Sequence, residues 1–248
     1  MDIIEEAEPE VCTAFGRQAV YGSSFALPCI LSAQDEFTLL WRGSKPFAVP
    51  RVRGYFKARL RAADVTPLNT VYGKIHALIS QDRLQTILAG WYGCSVDVII
   101  DFNSGSLTVE LESYSEIFQG ILEKIGTTIS NYSMVTEKQY DTAYFKLKVS
   151  LSSSAERLAY RTALDIASSV VKMYKFSDLE LLEVMQSNLE GPTFNGYMNM
   201  VTQKFGTNYL DAFIMGNIGP SLAKNVSEEF HRKITSSPIA YDASASNQ

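Results

Sequence analysis

The 248-residue chain contains few side chains able to do chemistry, and their spacing limits what that chemistry is. It has two histidines, His76 and His231. Metal-assisted hydrolysis needs two or three imidazole or carboxylate ligands, most simply at helical spacing. Neither histidine lies in H-x-x-E-H or H-E-x-x-H, the patterns that place two imidazoles on one helix face with a glutamate beside the metal-bound water. His76 has no Asp or Glu three or four residues to either side, and reads as a packed or solvent-facing histidine. His231 follows Glu228-Glu229-Phe230, a sequence that a charged helix face explains equally well. A serine or cysteine nucleophile would need one of these histidines as its base, and no serine sits in G-x-S-x-G. Cys94 reads as a small buried side chain rather than a reactive thiol. Gly216-Asn-Ile-Gly219 has neither the spacing nor the lysine of a phosphate-binding loop. Asp97 and Asp101 share one strand face and read as a solvated acidic edge.

Composition narrows the classes further. With 46 % hydrophobic and 20 % charged residues the chain is an ordinary globular one, and its formal charge of -5 argues against nucleic acid as the main partner. The basic row Arg51, Arg53, Lys57, Arg59 and Arg61 reads as a solvated strand face, with only Tyr55 as an aromatic companion. Three widely spaced cysteines, Cys12, Cys29 and Cys94, suggest neither a disulfide framework nor a metal site, and fit a reducing, cytoplasmic compartment. No run of 18 apolar residues is present, and the acidic start lacks a signal-peptide pattern, so no membrane partner is expected.

The elements that would position any site follow from periodicity. From Arg51 to Leu60 the side chains alternate, Val52, Gly54, Phe56, Ala58 and Leu60 on one face and the basic row on the other, which predicts a half-buried strand. Thr66-Pro67 is a helix start, the threonine hydroxyl capping an amide and the proline having none to leave unpaired. Leu68, Val71, Tyr72, Ile75, Leu78 and Ile79 then recur at helical spacing, and the helix continues through Leu84 to Leu88. Glu36–Trp41 is a short strand expected to pair with or neighbour the first long strand. Ser95–Phe102 and Leu107–Leu111, joined by Asn103-Ser-Gly105, form a hairpin. Ser113-Tyr-Ser-Glu116 fits a capping box for the next helix. Helical patterns begin at Thr136, Ala155, Ser177 and Pro192 or Thr193. Tyr209–Met215 is a late strand, and Pro220 opens a last helix to about Ile234. These elements predict an α+β fold, a two-layer sandwich with a mainly antiparallel sheet and helices packed on one face. Residues 1–34 read as a linker or extended arm, 35–234 as the domain and 235–248 as a flexible tail.

The order of elements, taken with particular residues, resembles one homologous domain of the insulinase (pitrilysin-like) zinc metallopeptidases, specifically the third domain of the long, insulin-degrading type. The residues that carry the resemblance are Ala26-Leu-Pro-Cys-Ile30, Leu40-Trp41 followed by Phe47-Ala-Val-Pro50, Thr66-Pro-Leu-Asn69, Ala89-Gly90 and Met215-Gly-Asn-Ile218. The resemblance implies a parent protein of four such domains in two halves that enclose a chamber and digest trapped peptides. It implies zinc in the first domain only, on the helix after the first long strand. That helix reads Thr70-Val-Tyr-Gly-Lys-Ile-His-Ala-Leu-Ile79 here, without the inverted zinc motif, so no catalytic or metal-binding residue carries over and substrate-binding residues stay unassigned. The expected role is an inert chamber domain of a zinc metalloendopeptidase, in contact with the parent's other domains and with peptide substrates. The alternative is a free-standing, non-catalytic binding or scaffold subunit of the same fold.

The strand register makes a stability prediction. Phe56→Ala, on the inward face, is expected to cost about 3 to 5 kcal/mol, whereas Arg53→Ala costs little. Urea unfolding that ranked the two in the opposite order would place the strand in the wrong register.

Overall fold

The computed structural model describes residues 28–34, 36–43, 50–91, 95–155, 159–172, 174–187, 191–205 and 209–235. Cys12, Cys94, most of the expected arm, the turn before the first long strand and the tail after Thr235 lie outside these. The described elements in chain order are β1 (Cys29–Gln34), β2 (Phe37–Gly43), β3 (Arg51–Arg59), α1 (Pro67–Ile87), β4 (Asp97–Asn103) and β5 (Ser106–Tyr114). They continue with α2 (Ser115–Ser130), α3 (Glu137–Ala155), α4 (Ala159–Val171), α5 (Asp178–Gln186), α6 (Phe194–Lys204), β6 (Tyr209–Gly216) and α7 (Pro220–Thr235).

The fold is α+β, with the six strands in one sheet ordered β1-β2-β6-β3-β5-β4. Four of the five pairings are antiparallel, and β2 with β6 is parallel, so the sheet is mixed. Two sequence expectations need correction here. β2 and β3 are not neighbours, because β6, some 150 residues later in the chain, inserts between them and pairs with both. Cys29–Gln34, read from sequence as the end of an arm, is an edge strand of the sheet.

The alternation in β3 sets which face is core. Val52, Phe56 and Ala58 are buried, and their partners across the ladder, Ser113, Val109 and Leu107 on β5 and Ala212 and Leu210 on β6, are buried with them. Helices α1, α2 and α7 cover this face, and α3, α5 and α6 pack on the far side of α1. α1 is therefore buried on both sides, and Val71 and Ile75 are fully shielded from solvent while Tyr72 and His76 are nearly so. It starts as expected, with the Thr66 hydroxyl accepting from the Asn69 amide at 3.2 Å and Pro67 in its first turn.

The box expected at Ser113–Glu116 does not form. Ser113 sits inside β5, opposite Val52 and fully buried, and its hydroxyl donates to the Tyr114 carbonyl at 3.2 Å. The start of α2 is instead fixed by the sheet, through the Ser115 amide donating to the Pro50 carbonyl at 3.0 Å. A reciprocal box does form at α5. The Glu180 amide donates to the Ser177 hydroxyl at 3.3 Å, and the Ser177 amide donates to the Glu180 carboxylate at 2.7 Å.

Gly73 shows how closely α1 lies on the sheet. A Cβ added there would stand 2.6 Å from the Phe102 ring of β4, nearer than packed carbon atoms approach. Glycine in a helix interior normally costs about 1 kcal/mol against alanine, so helix propensity alone favours Gly73→Ala. The contact with Phe102 reverses the sign, and Gly73→Ala is expected to destabilise by about 1 to 3 kcal/mol. Thermal or urea unfolding checks this, and a stabilised variant would show that α1 can lift off β4.

Candidate functional site

Two places invite a functional reading: the helix that follows the first long strand, and the sheet face that no described helix covers. On α1 the residue of interest is His76. Its Nδ1 lies 3.0 Å from the Tyr197 hydroxyl of α6, and its ring packs between Tyr132 and Phe205, with centroids 5.4 and 5.2 Å away. One turn earlier, the Tyr72 hydroxyl accepts from the Thr193 amide at 3.1 Å, where α6 begins. Tyr140 of α3 packs on Tyr197 at 5.4 Å, so the cluster fastens α1 to α3 and α6.

The electrostatics fix the protonation of this cluster. Burial first, and the Arg83 guanidinium second, lower the His76 pKa to about 3, against a weak opposing effect of the Ile129 backbone. Burial raises Tyr197, Tyr132 and Tyr140 above the ordinary phenol range. At neutral pH His76 is uncharged and Tyr197 is protonated, and the imidazole tautomer sets which of the two donates in the bond between Nδ1 and the phenol. Nε2 is buried and lacks a hydrogen-bond partner of good geometry.

These residues do not fit the zinc ion that the resemblance assigns to a sister domain. One ring nitrogen is engaged by Tyr197, phenyl and phenol rings surround the imidazole, and no carboxylate shares its helix face. Among the described residues no three His, Cys, Asp or Glu side chains come together in a group able to hold a metal. His231 lies elsewhere, stacked on Phe37 of β2 with centroids 5.3 Å apart. Cys94 falls outside the described residues.

The outer face of the sheet carries the basic row expected from sequence, and the structure adds its partners. Arg51 pairs with Glu112 at 3.1 Å, Arg53 with Glu110 at 3.6 Å, and Arg59 with Asp211. Three of the five basic residues are thus paired with carboxylates of the strands on either side, which weakens the row as a track for a phosphate backbone. Across the middle of this face runs an apolar line formed by register: Ile30 of β1 opposite Leu40 of β2, Leu40 opposite Phe213 of β6, and Phe213 opposite Tyr55 of β3. Glu110 interrupts it, and Ile99 on the edge strand β4 resumes it. Asp97 and Asp101 flank Ile99 on that edge and are exposed, as the acidic-edge reading expects.

An edge strand is a ready template for an added peptide strand. At the middle of β4 that template is already filled. Gln81 of α1 donates from Nε2 to the Val98 carbonyl at 3.0 Å, and its Oε1 accepts from the Ile100 amide at 2.8 Å. Sequence reasoning missed both Gln81 and the Tyr197 partner of His76. The available signals were a glutamine on a helix otherwise turned toward apolar neighbours, and Tyr72 and His76 stacked at helical spacing.

A family model described as the middle or third domain of peptidase M16 matches residues 15–184. The chain belongs to that family. As an M16 domain of the non-catalytic kind, it is similar in fold to pitrilysin, with a TM-score of 0.72 at 15 % identity over 89 % of this chain and 23 % of that one. The peptidase M16 inactive domain from Pseudomonas fluorescens gives a TM-score of 0.61 at 10 % identity over 86 % of this chain and 52 % of that one. A chain of Complex III2 from Candida albicans gives 0.58 at 13 % identity, over 77 % and 49 %. The M16 domain thus spans about a quarter of the pitrilysin chain and about half of the other two. No curated protein matches it.

The buried histidine makes the M16 domain acid-sensitive. The folded state holds His76 neutral down to about pH 3, whereas the unfolded chain takes up a proton near the ordinary value of 6.5. Below about pH 6.5 the unfolded state therefore binds more protons, and this contribution to stability is lost progressively as pH falls, by at most about 1.4 kcal/mol per pH unit. Urea midpoints measured between pH 7 and pH 4 are expected to fall more steeply for the native protein than for His76→Phe. Parallel slopes would mean that His76 is not the group responsible.

Proposed function

We propose that this domain is an inert wall and packing element of a larger zinc metalloendopeptidase of the insulin-degrading type, which degrades peptides inside a chamber. The observation that carries the reading is the state of α1. It follows the first long strand, where the resemblance puts the zinc helix of a catalytic sister domain, and yet its one imidazole is bonded to Tyr197 and walled by aromatic rings. A helix sandwiched between sheet and helices supports the core and presents no ligand.

On this reading zinc belongs to another domain of the parent and none to this segment. The partners are the parent's other domains and the peptides held in the shared chamber. The uncovered sheet face, with its paired charges and apolar line, is a surface suited to the chamber side, contacting peptides without base-specific or phosphate recognition. Neither nucleic acid nor membrane is a partner, and no helix among the described residues is long and apolar enough to cross a membrane. The cysteine pattern supports a cytoplasmic location. A second reading, a free-standing non-catalytic scaffold subunit, draws support from the likeness in fold to a chain of Complex III2.

Metal analysis and peptide-cleavage assays separate these readings from a catalytic one. The pure domain is expected to hold zinc far below one ion per chain and to cleave no peptide, while the parent's cleavage is lost on chelation. Stoichiometric zinc in the domain, or cleavage by it that a chelator abolishes, overturns both readings.

A further inference from the structure

An unpaired strand edge presents peptide groups that another chain can bond. β4 closes one side of the sheet, and among the described strands only β5 pairs with it. At its free edge the Gln81 carboxamide donates to the Val98 carbonyl at 3.0 Å and accepts from the Ile100 amide at 2.8 Å. One residue of a parallel strand lying beside Ile99 would make the same pair of bonds, its amide to the carbonyl before Ile99 and its carbonyl to the amide after it. Gln81 thus occupies the place of a strand residue. It does so from a rotatable side chain, and it fills one position beside a strand of 7 residues.

We infer that the free edge of β4 is a strand-binding site held shut by Gln81, and that its ligand is an extended peptide of the pattern basic-x-apolar-x-basic. This rests on the reading that peptides are partners of the domain. Main-chain bonds along the edge supply affinity, and the side chains of the outer face choose the sequence. There Ile99, 51 % exposed, stands between Asp97 and Asp101, which are exposed and have no ion pair among the described residues. Side chains directly opposite on neighbouring strands lie about 5 Å apart, so the peptide residue beside Ile99 is apolar and those two positions to either side of it are basic. Glu110 and Glu112, the β5 residues opposite Ile99 and Asp97, bring no cation to this border. The pattern reads the same in both directions, so a strand of either orientation fits it. The same charges disfavour a second copy, because β4 paired with itself about Ile99 sets carboxylate against carboxylate on both sides.

The test compares the 248-residue chain with its Gln81→Ala variant in binding a fluorescent peptide, Thr-Lys-Thr-Val-Thr-Lys-Thr, followed by anisotropy. Opening the edge removes two competing hydrogen bonds, so the variant is expected to bind about ten-fold more tightly or better. Adding Asp97→Asn and Asp101→Asn is expected to cancel most of the gain, as is replacing both peptide lysines by glutamate. In Gln81→Ala the Ile100 amide loses its partner, and its hydrogen exchange is expected to slow when peptide is added. Gln81→Met, which keeps the side-chain length without the bonds, serves the same comparison should Gln81→Ala fail to fold. Equal affinity of native and variant chains, no binding by a folded variant, or peptide protection of amides outside β4 overturns the inference. So does a Gln81→Ala chain that dimerises through β4 without peptide. None of these outcomes touches the zinc and cleavage assays that test the chamber reading.

Discussion

The structure depends on α1 being buried from two directions. The sheet takes one side, where Gly73 lies against Phe102, and the helices α3, α5 and α6 take the other, where Tyr72 and His76 meet Tyr197 and Tyr140. A helix in that position has to be apolar on most of its circumference, and its few polar groups need partners inside the protein. Thr193 serves Tyr72, Tyr197 serves His76, and the edge of β4 serves Gln81. The same requirement removes chemistry from α1, because a ligand helix needs an uncovered side on which carboxylate and imidazole reach a metal.

The sheet distributes its two faces by the same economy. Inward residues of β3, β5 and β6 build the core with Phe118 of α2 and Phe230 of α7, the latter 4.8 Å from Phe56 between ring centroids. Outward residues alternate cross-strand ion pairs with an apolar line, an arrangement that is tolerable in water and still able to contact extended chains. Exposed pairs such as Arg53–Glu110 contribute little stability, typically below about 1 kcal/mol, and their effect here is to offset the charge of Arg51, Arg53 and Arg59 in the basic row. Edge protection by Gln81 belongs with this, since it keeps β4 from templating another strand.

α4 stands apart from this economy. Leu164, Val170 and Val171 are exposed on it, and Phe145 and Val149 are exposed on α3, whose Tyr140, Leu147 and Leu151 are buried.

Much of the fold was legible in the sequence because it is written in local terms. Period-two alternation placed β3 and the hairpin, apolar spacing placed α1 and α2, and Thr66-Pro67, Ser177 and Thr193 marked helix starts that the structure keeps. Neither histidine lies in H-x-x-E-H, although His231 follows Glu228 and Glu229, and that much was read from sequence alone. What the sequence could not decide were relations between distant segments. That β6 enters between β2 and β3, that Ser113 belongs to a strand rather than a cap, that Tyr197 closes over His76 across 121 positions and that α4 faces outward are all set by tertiary packing. Local free energies of capping and periodicity amount to about 1 kcal/mol each, and burial of a shared core outweighs them wherever the two disagree.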